Sequence, residues 1–186
     1  MAVTFTTSGT ASAGGVQQSY ALAQTALLEG QLSDIRDNTI GTYINETAVV
    51  LPFGNVQVYN TAGTVANSAT TISGASDTVL GINVLTYVDE TALNADSRPG
   101  VKVDQVLNVA NEGAVAVYVT GAVTPASIVR VLYSASGTGK AGQFSHAFAS
   151  GKTVRMANAR YLSTTTGSGL AILELNGPSF TLSADS

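Results

Sequence analysis

The chain reads as a mainly β protein, an antiparallel β-sandwich or β-barrel-like body with an extended N-terminal arm. Three observations carry this. Between Val101 and Tyr133 apolar residues alternate with small and polar ones. Around Ala114 to Val123 that alternation sets Val115, Val117 and Val119 on one face, with Ala114, Ala116, Tyr118 and Thr120 on the other, the two-residue period of a half-buried strand. Turn chemistry recurs at short, regular spacing along the chain, as suits strands joined by tight connections. The first 18 residues, by contrast, are small and polar, with a Gly-Gly pair and no sustained apolar period.

Taken in order, residues 1–38 form the arm or strap and residues 39–186 the β-rich body. From Ser19 to Arg36, Tyr20, Ala23, Leu27, Leu28, Leu32 and Ile35 fall at helical spacing, but Gly30 interrupts them at about 1 kcal/mol relative to Ala. A short helix and an extended strap are both consistent with that stretch. Ordering an arm of this length costs about 1 to 2 kcal/mol per residue in backbone entropy. Its sparse apolar residues offset that only when buried against another surface.

The body begins with an apolar run at Ala48 to Leu51 that Pro52 stops. Phe53-Gly54 forms a corner into the alternating Val56 to Tyr59. Residues 61–77 predict a surface loop with a short strand, Thr78 to Val88 a strand, and Asp89 to Gly100 a polar segment turning at Arg98-Pro99-Gly100. In the central stretch, Asn111-Glu112-Gly113 and Thr124-Pro125-Ala126 predict turns, hence at least three consecutive strands. Ser134 to Gln143 is a Gly-rich loop, followed by strands at Phe144 to Ala149 and Thr153 to Leu162 and a turn at Ser163 to Ser168. Gly169 to Leu175 closes the body with Leu170, Ile172 and Leu175 inward.

Composition excludes several functions. Of the 186 residues only 11% are Asp, Glu, Lys or Arg, the formal net charge is −4, and no basic run exists to hold phosphates. With no cysteine, a disulfide framework and a thiolate metal site are both closed. No apolar run approaches a membrane span, and the N-terminus lacks a signal-peptide pattern. A β protein with so few charges to blunt its edges is prone to pair with neighbours, so assembly is an expectation from composition alone.

No motif test yields a catalytic centre. Gly137-Thr138-Gly139-Lys140 and Gly151-Lys152-Thr153 resemble phosphate loops, yet Ser134 and His146 stand where the pattern requires its first Gly. His146 neighbours Ser145, but adjacent strand residues point to opposite faces, and no G-x-S-x-G elbow is present. Asp89, Glu90 and Asp96 crowd one segment without the D-x-D-x-D-G pattern of a calcium loop, and read as a solvated charged loop. The sequon Asn45-Glu46-Thr47 reads as coincidence. No catalytic residue, metal site or cofactor is expected.

The order of several segments resembles a known family. Glu29-Gly30-Gln31-Leu32-Ser33-Asp34, then Ile40, Tyr43, Ile44 and Glu46, then Leu51-Pro52-Phe53-Gly54-Asn55-Val56, are similar to the front of tailed-bacteriophage capsid cement (decoration) proteins. Leu80-Gly81-Ile82, Arg98-Pro99-Gly100-Val101, Asn111 to Val117, Gly137, Gly142-Gln143-Phe144 and Gly169 to Leu175 continue the likeness over residues 27–176. Residues 1–26 have no counterpart in it.

The resemblance implies a structural, non-enzymatic protein on the outer surface of the expanded head. It would be made in the host cytoplasm and would clamp neighbouring major capsid subunits. It implies a symmetric homo-oligomer, a trimer, with no nucleic-acid or membrane partner. Interfaces of about 1,200 to 2,000 Å² would act through avidity against internal DNA pressure. Strap residues Leu27, Leu32, Ile35, Ile40 and Tyr43 are the expected contacts, Ile40 and Tyr43 having a competing place in the body core. The rival readings are a phage fibre or surface carbohydrate-binding β module, which the absence of Trp and the 6% aromatic content disfavour, and a small hydrolase.

Overall fold

Valine and leucine recur along Val106 to Val119 with their backbone groups paired on both sides, and this run forms one strand of 14 residues on which the body is assembled. The computed structural model describes residues 27–34, 37–86, 91–177 and 180–184. Among the described residues there are fourteen strands and no helix. The first seven are β1 (Thr39–Asn45), β2 (Leu51–Pro52), β3 (Val56–Tyr59), β4 (Ser68–Thr71), β5 (Val79–Asn83), β6 (Thr91–Leu93) and β7 (Pro99–Val101). The long strand is β8 (Val106–Val119). After it come β9 (Arg130–Leu132), β10 (Phe144–Ser145), β11 (Thr153–Met156), β12 (Ala159–Tyr161), β13 (Gly169–Asn176) and β14 (Leu182–Ala184).

Strands β1, β4, β3, β5 and β8 follow one another, and β8 pairs back onto β1, so they close into a five-stranded barrel. Closure leaves these five without the open edges that low surface charge would expose. The pairing of β1 with β4 is parallel, as is that of β10 with β8; the remaining ladders are antiparallel. The barrel occupies the first half of β8. The second half pairs with β13 from Asn176 opposite Glu112 to Gly169 opposite Val119, and through Phe144 of β10 it leads to β9, β11 and β14. Of the two architectures expected, the barrel is the one formed.

A separate small sheet, β2-β7-β6, lies against the barrel. Its strands are too short to hold by ladder alone, and buried asparagines staple them. Asn83 Nδ2 donates to the Leu51 carbonyl at 3.0 Å and the Pro52 carbonyl at 3.1 Å. Asn45 Nδ2 donates to the carbonyls of Val49 (2.9 Å), Val101 and Lys102 (both 3.0 Å). Both asparagines are fully buried, so each bond replaces a desolvation cost that an apolar neighbour would leave unmet. The core falls in two clusters. One holds Val56, Ile82, Val115, Val117, Phe144, Tyr161 and Leu173 among others; the second, between barrel and small sheet, holds Leu51, Phe53, Ala69, Val101, Leu107 and Val109.

Three expectations are corrected. Asn111-Glu112-Gly113 is no turn, because Thr39 and Asn176 both pair with Glu112 and hold the chain extended. Gly113 adopts φ of 114°, and a Cβ there would come 1.8 Å from Asn38 Oδ1; the ladder to β13 continues through it without reversal. Pro99-Gly100 belongs to β7; the reversal sits one step earlier, where Asn94 Oδ1 accepts the amides of Asp96 and Arg98 and Ser97 takes a positive φ. In β13 the buried face is Ala171, Leu173 and Leu175, whereas Leu170 is 37% exposed and Ile172 half-buried. Register decides this: Ala171 and Leu173 stand opposite Val117 and Val115, whose face is the core. The expected corner at Pro52 to Gly54, the turn at Thr124 and the Gly-rich loop after Tyr133 are all present.

That register makes a direct prediction. Leu173→Ala should cost about 3 kcal/mol of unfolding free energy, the range for truncating a buried leucine, and Leu170→Ala less than about 1 kcal/mol. Equal losses in denaturant titrations would show that the face is wrongly assigned.

Candidate functional site

The arm meets the body at Leu27 to Asp34, and this segment is held rather than helical. Gln31 N donates to the Leu28 carbonyl at 3.0 Å, closing a turn over Glu29-Gly30. The chain then runs antiparallel to β8. Gly30 N donates to the Ala116 carbonyl (2.7 Å), Ala116 N to the Gln31 carbonyl (2.8 Å) and Ser33 N to the Ala114 carbonyl (2.8 Å), with Leu32 bridged to Val115. Gly30 also accepts the Leu85 amide at 2.8 Å. Its φ is 80°, and a Cβ would fall 2.8 Å from Phe53 Cβ and 2.9 Å from Gly54 N. The glycine that interrupts a helical pattern is thus the residue that lets the strap seat between β8 and the Phe53-Gly54 corner.

Electrostatics fastens the same point. The Arg98 guanidinium forms a fork with Glu29: Nη2 pairs with Oε1, and Nε donates to Oε2 at 3.2 Å. Nη2 also donates to Asn55 Oδ1 at 2.7 Å. The two charged side chains are only 15% and 17% exposed. Burial raises the Glu29 pKa above its ordinary 4.5, against the opposing hydrogen bond and charge of Arg98. The pair is therefore a positional lock more than a source of net stability, since desolvation consumes much of the Coulombic gain. Glu29-Gly30, Phe53-Gly54-Asn55 and Arg98, three separated segments of the sequence, meet here.

The expected strap contacts do not form one patch. Leu27 is half-buried. Leu32 packs partly against the main core cluster, and Tyr43 against the second. Ile40 lies on β1 opposite Ala110 and is 42% exposed. Ile35 falls outside the described residues, as do residues 1–26. Glu29 and Arg98 were missed as a pair by sequence reasoning: they lie 69 positions apart, and no local spacing rule links them.

The remaining candidates are accounted for by structure. Ser145 ends β10 and is buried, while His146 lies just beyond the strand and is exposed; Ser145 Oγ accepts the Ala147 amide at 3.0 Å. Ser136 and Gly139 exchange backbone bonds of 3.0 and 2.9 Å across a tight turn, and Thr153 Oγ1 accepts the Ala149 amide at 3.0 Å, so neither loop has a phosphate cradle's geometry. Asp96 Oδ1 pairs with Lys140 Nζ at 2.9 Å, while Asp89 and Glu90 lie outside the described residues. No cluster of metal-ligating side chains occurs among the described residues. The sequon amide of Asn45 is the buried staple described above.

Comparison with known proteins agrees with this fold. The sequence matches the family described as structural cement protein (E217 gp24/Pam3 gp6) over residues 16–176. The chain belongs to that family of phage capsid cement proteins and is a structural component of the virion. A solved structure titled "The capsid of Myoviridae Phage XM1" contains a chain of similar fold. Its TM-score is 0.61 and its sequence identity 16%, with 84% of this chain and 94% of that one covered. No curated protein matches the chain.

The lock can be tested by unequal substitution. Arg98→Ala strands a buried carboxylate and should cost about 3 kcal/mol, whereas Glu29→Gln keeps hydrogen-bonding groups in place and should cost about 1 kcal/mol. Because the folded state holds the Glu29 proton more tightly than the unfolded state, ionised Glu29 is a burden that lifts as the pH falls through the raised folded pKa toward 4.5. Wild type should accordingly gain stability relative to Glu29→Gln over that window. A relative loss on acidification, measured by denaturation at several pH values, would contradict the burial argument.

Proposed function

We propose that the protein binds the outside of the expanded phage head and clamps neighbouring major capsid subunits, with the strap as its grip. Membership of the cement family carries this reading, and the rooted strap supports it. An arm fastened by four backbone bonds and an ion pair can transmit load to the barrel instead of sliding on it.

Within the strap, Leu32 and Tyr43 share their surface with the body and hold the segment. Leu27, Ile35 and Ile40 are the positions we assign to the capsid side. Association as a symmetric homo-oligomer, a trimer, multiplies such contacts, so many individually modest interfaces act together. A footprint spanning several subunits is complete only when expansion brings them into register, which gives a preference for mature heads. Nothing in this function needs bond chemistry, and we take the protein to be a structural component with no catalytic role.

Purified protein titrated onto expanded heads that lack it should bind saturably. Ile40→Asp should weaken binding by at least about tenfold, equivalent to about 1.4 kcal/mol, with its unfolding midpoint unchanged. Absence of saturable binding together with binding to glycans would overturn the cement reading in favour of a carbohydrate module. Light scattering that finds a stable monomer at high concentration would remove the trimer.

A further inference from the structure

A cleft of about 380 Å³ opens beside the β3–β4 ladder and the connection from β4 to β5. Tyr59 at the end of β3, Thr61, Thr70, Ser76, Asp77 and Thr78 line it among others. Its volume falls within the range of small-ligand sites, about 300 to 1,000 Å³. None of its lining residues belongs to the strap, the Arg98 fork or the small sheet.

The frame of the cleft is fixed by its own hydrogen bonds. Asp77 Oδ2 accepts the amides of Ser73 at 2.7 Å and Gly74 at 2.9 Å, which closes the loop before β5. Tyr59 N donates to the Thr78 carbonyl at 2.9 Å, and Asn60 Oδ1 accepts the Ala62 amide at 3.1 Å. Loop and strand are therefore tied together before any ligand arrives, and little ordering cost remains for binding.

The groups left over define what fits. The hydroxyls of Thr61, Thr70, Ser76 and Thr78 make no hydrogen bond within the described residues, and Asp77 keeps Oδ1 as an acceptor. Each hydroxyl offers one donor and two acceptor positions. Tyr59 is 39% exposed, and among the described aromatic residues only it and Phe148 are exposed. Its ring is an apolar surface set among polar neighbours. No Lys, Arg or His lines the cleft, so a phosphate or carboxylate would meet only the like charge of Asp77. A wholly apolar ligand would cover the hydroxyls without giving them partners. What remains is a neutral, polyhydroxylated molecule with one apolar ring face, and that describes a neutral sugar.

We propose that this cleft is a subsite for a neutral saccharide, with the C–H face of one sugar ring on Tyr59 and its hydroxyls bonded to Asp77 Oδ1, Thr61, Ser76 and Thr78. The inference goes beyond the cement reading and does not rest on it. One ring of about a dozen heavy atoms, at the efficiency of ordinary ligands, binds with a Kd of about a millimolar. On a head that carries many copies, such weak sites act together on a repeating polysaccharide. The low aromatic content that disfavours a dedicated carbohydrate module is compatible with one such subsite.

The full chain is titrated onto immobilised dextran, mannan and galactan, with polygalacturonate as the anionic control and the unfolding midpoint of every variant recorded. Wild type should bind at least one of the three neutral polymers saturably, and polygalacturonate at least about tenfold more weakly. Tyr59→Ala should reduce the binding at least about tenfold, whereas Tyr59→Phe, which keeps the ring, should retain most of it. The double variant Thr61→Ala, Ser76→Ala, at exposed positions, should weaken it about tenfold with the unfolding midpoint unchanged, and Phe148→Ala should have no effect. Failure of all three neutral polymers to bind overturns the proposal. So does equal binding of polygalacturonate, or a loss on Phe148→Ala that Tyr59→Ala does not share. Binding of the same variants to expanded heads is scored separately, and Tyr59→Ala should bind heads as wild type does, so loss of the cement reading and loss of the saccharide subsite are distinguishable.

Discussion

The main sheet depends on β8 staying extended from Val106 to Val119. Its first half closes the barrel through β1 and β5, and its second half carries β13, β10 and the strap at Leu32. A reversal at Asn111-Glu112-Gly113 would separate these two halves, and the double pairing of Glu112 prevents it. Gly113 sits where the strand passes from barrel to outer sheet, at a φ of 114° that residues with a Cβ rarely adopt. A single backbone element thus belongs to both core clusters, and the strap is bonded directly to it.

Around that spine, polar groups do the joining that a larger apolar core would do elsewhere. The small sheet is attached through the buried amides of Asn45 and Asn83, and the strap through the Glu29–Arg98 fork with Asn55. Such interactions add modest net stability, yet they are costly to leave half-made. They therefore specify geometry more than they deepen the free-energy well. Under the proposed capsid-clamping role, in which the arm is presented at a defined place, specification of this kind is the useful property.

Much of the architecture was legible in the residues. Alternation around Val115 to Val119 named the face that enters the main core, though Ala114 and Ala116 on the opposite face are buried as well, and Pro52-Phe53-Gly54 named its corner. The sequence-level errors share one cause. Asn-Glu-Gly and Arg-Pro-Gly have turn chemistry, but whether such a tripeptide turns depends on the strands beside it. Apolarity alone groups Leu170, Ile172 and Leu175, while period two and the register against Val115 and Val117 select Ala171, Leu173 and Leu175.

The sequence by itself determined the β class, the arm-and-body division as an expectation, the absence of thiol chemistry and, through the order of its segments, the cement family. Those follow from local periodicity, composition and segment order, all of which are written along one dimension. Tertiary structure alone decided that the barrel closes through β1 and β8, that Gly30 seats the strap against the Phe53-Gly54 corner, and that Arg98 reaches Glu29 across 69 positions. Contacts of that range are set by how the sheet coils and where its register settles. No residue's own propensity encodes them, and they appear only when the chain has folded.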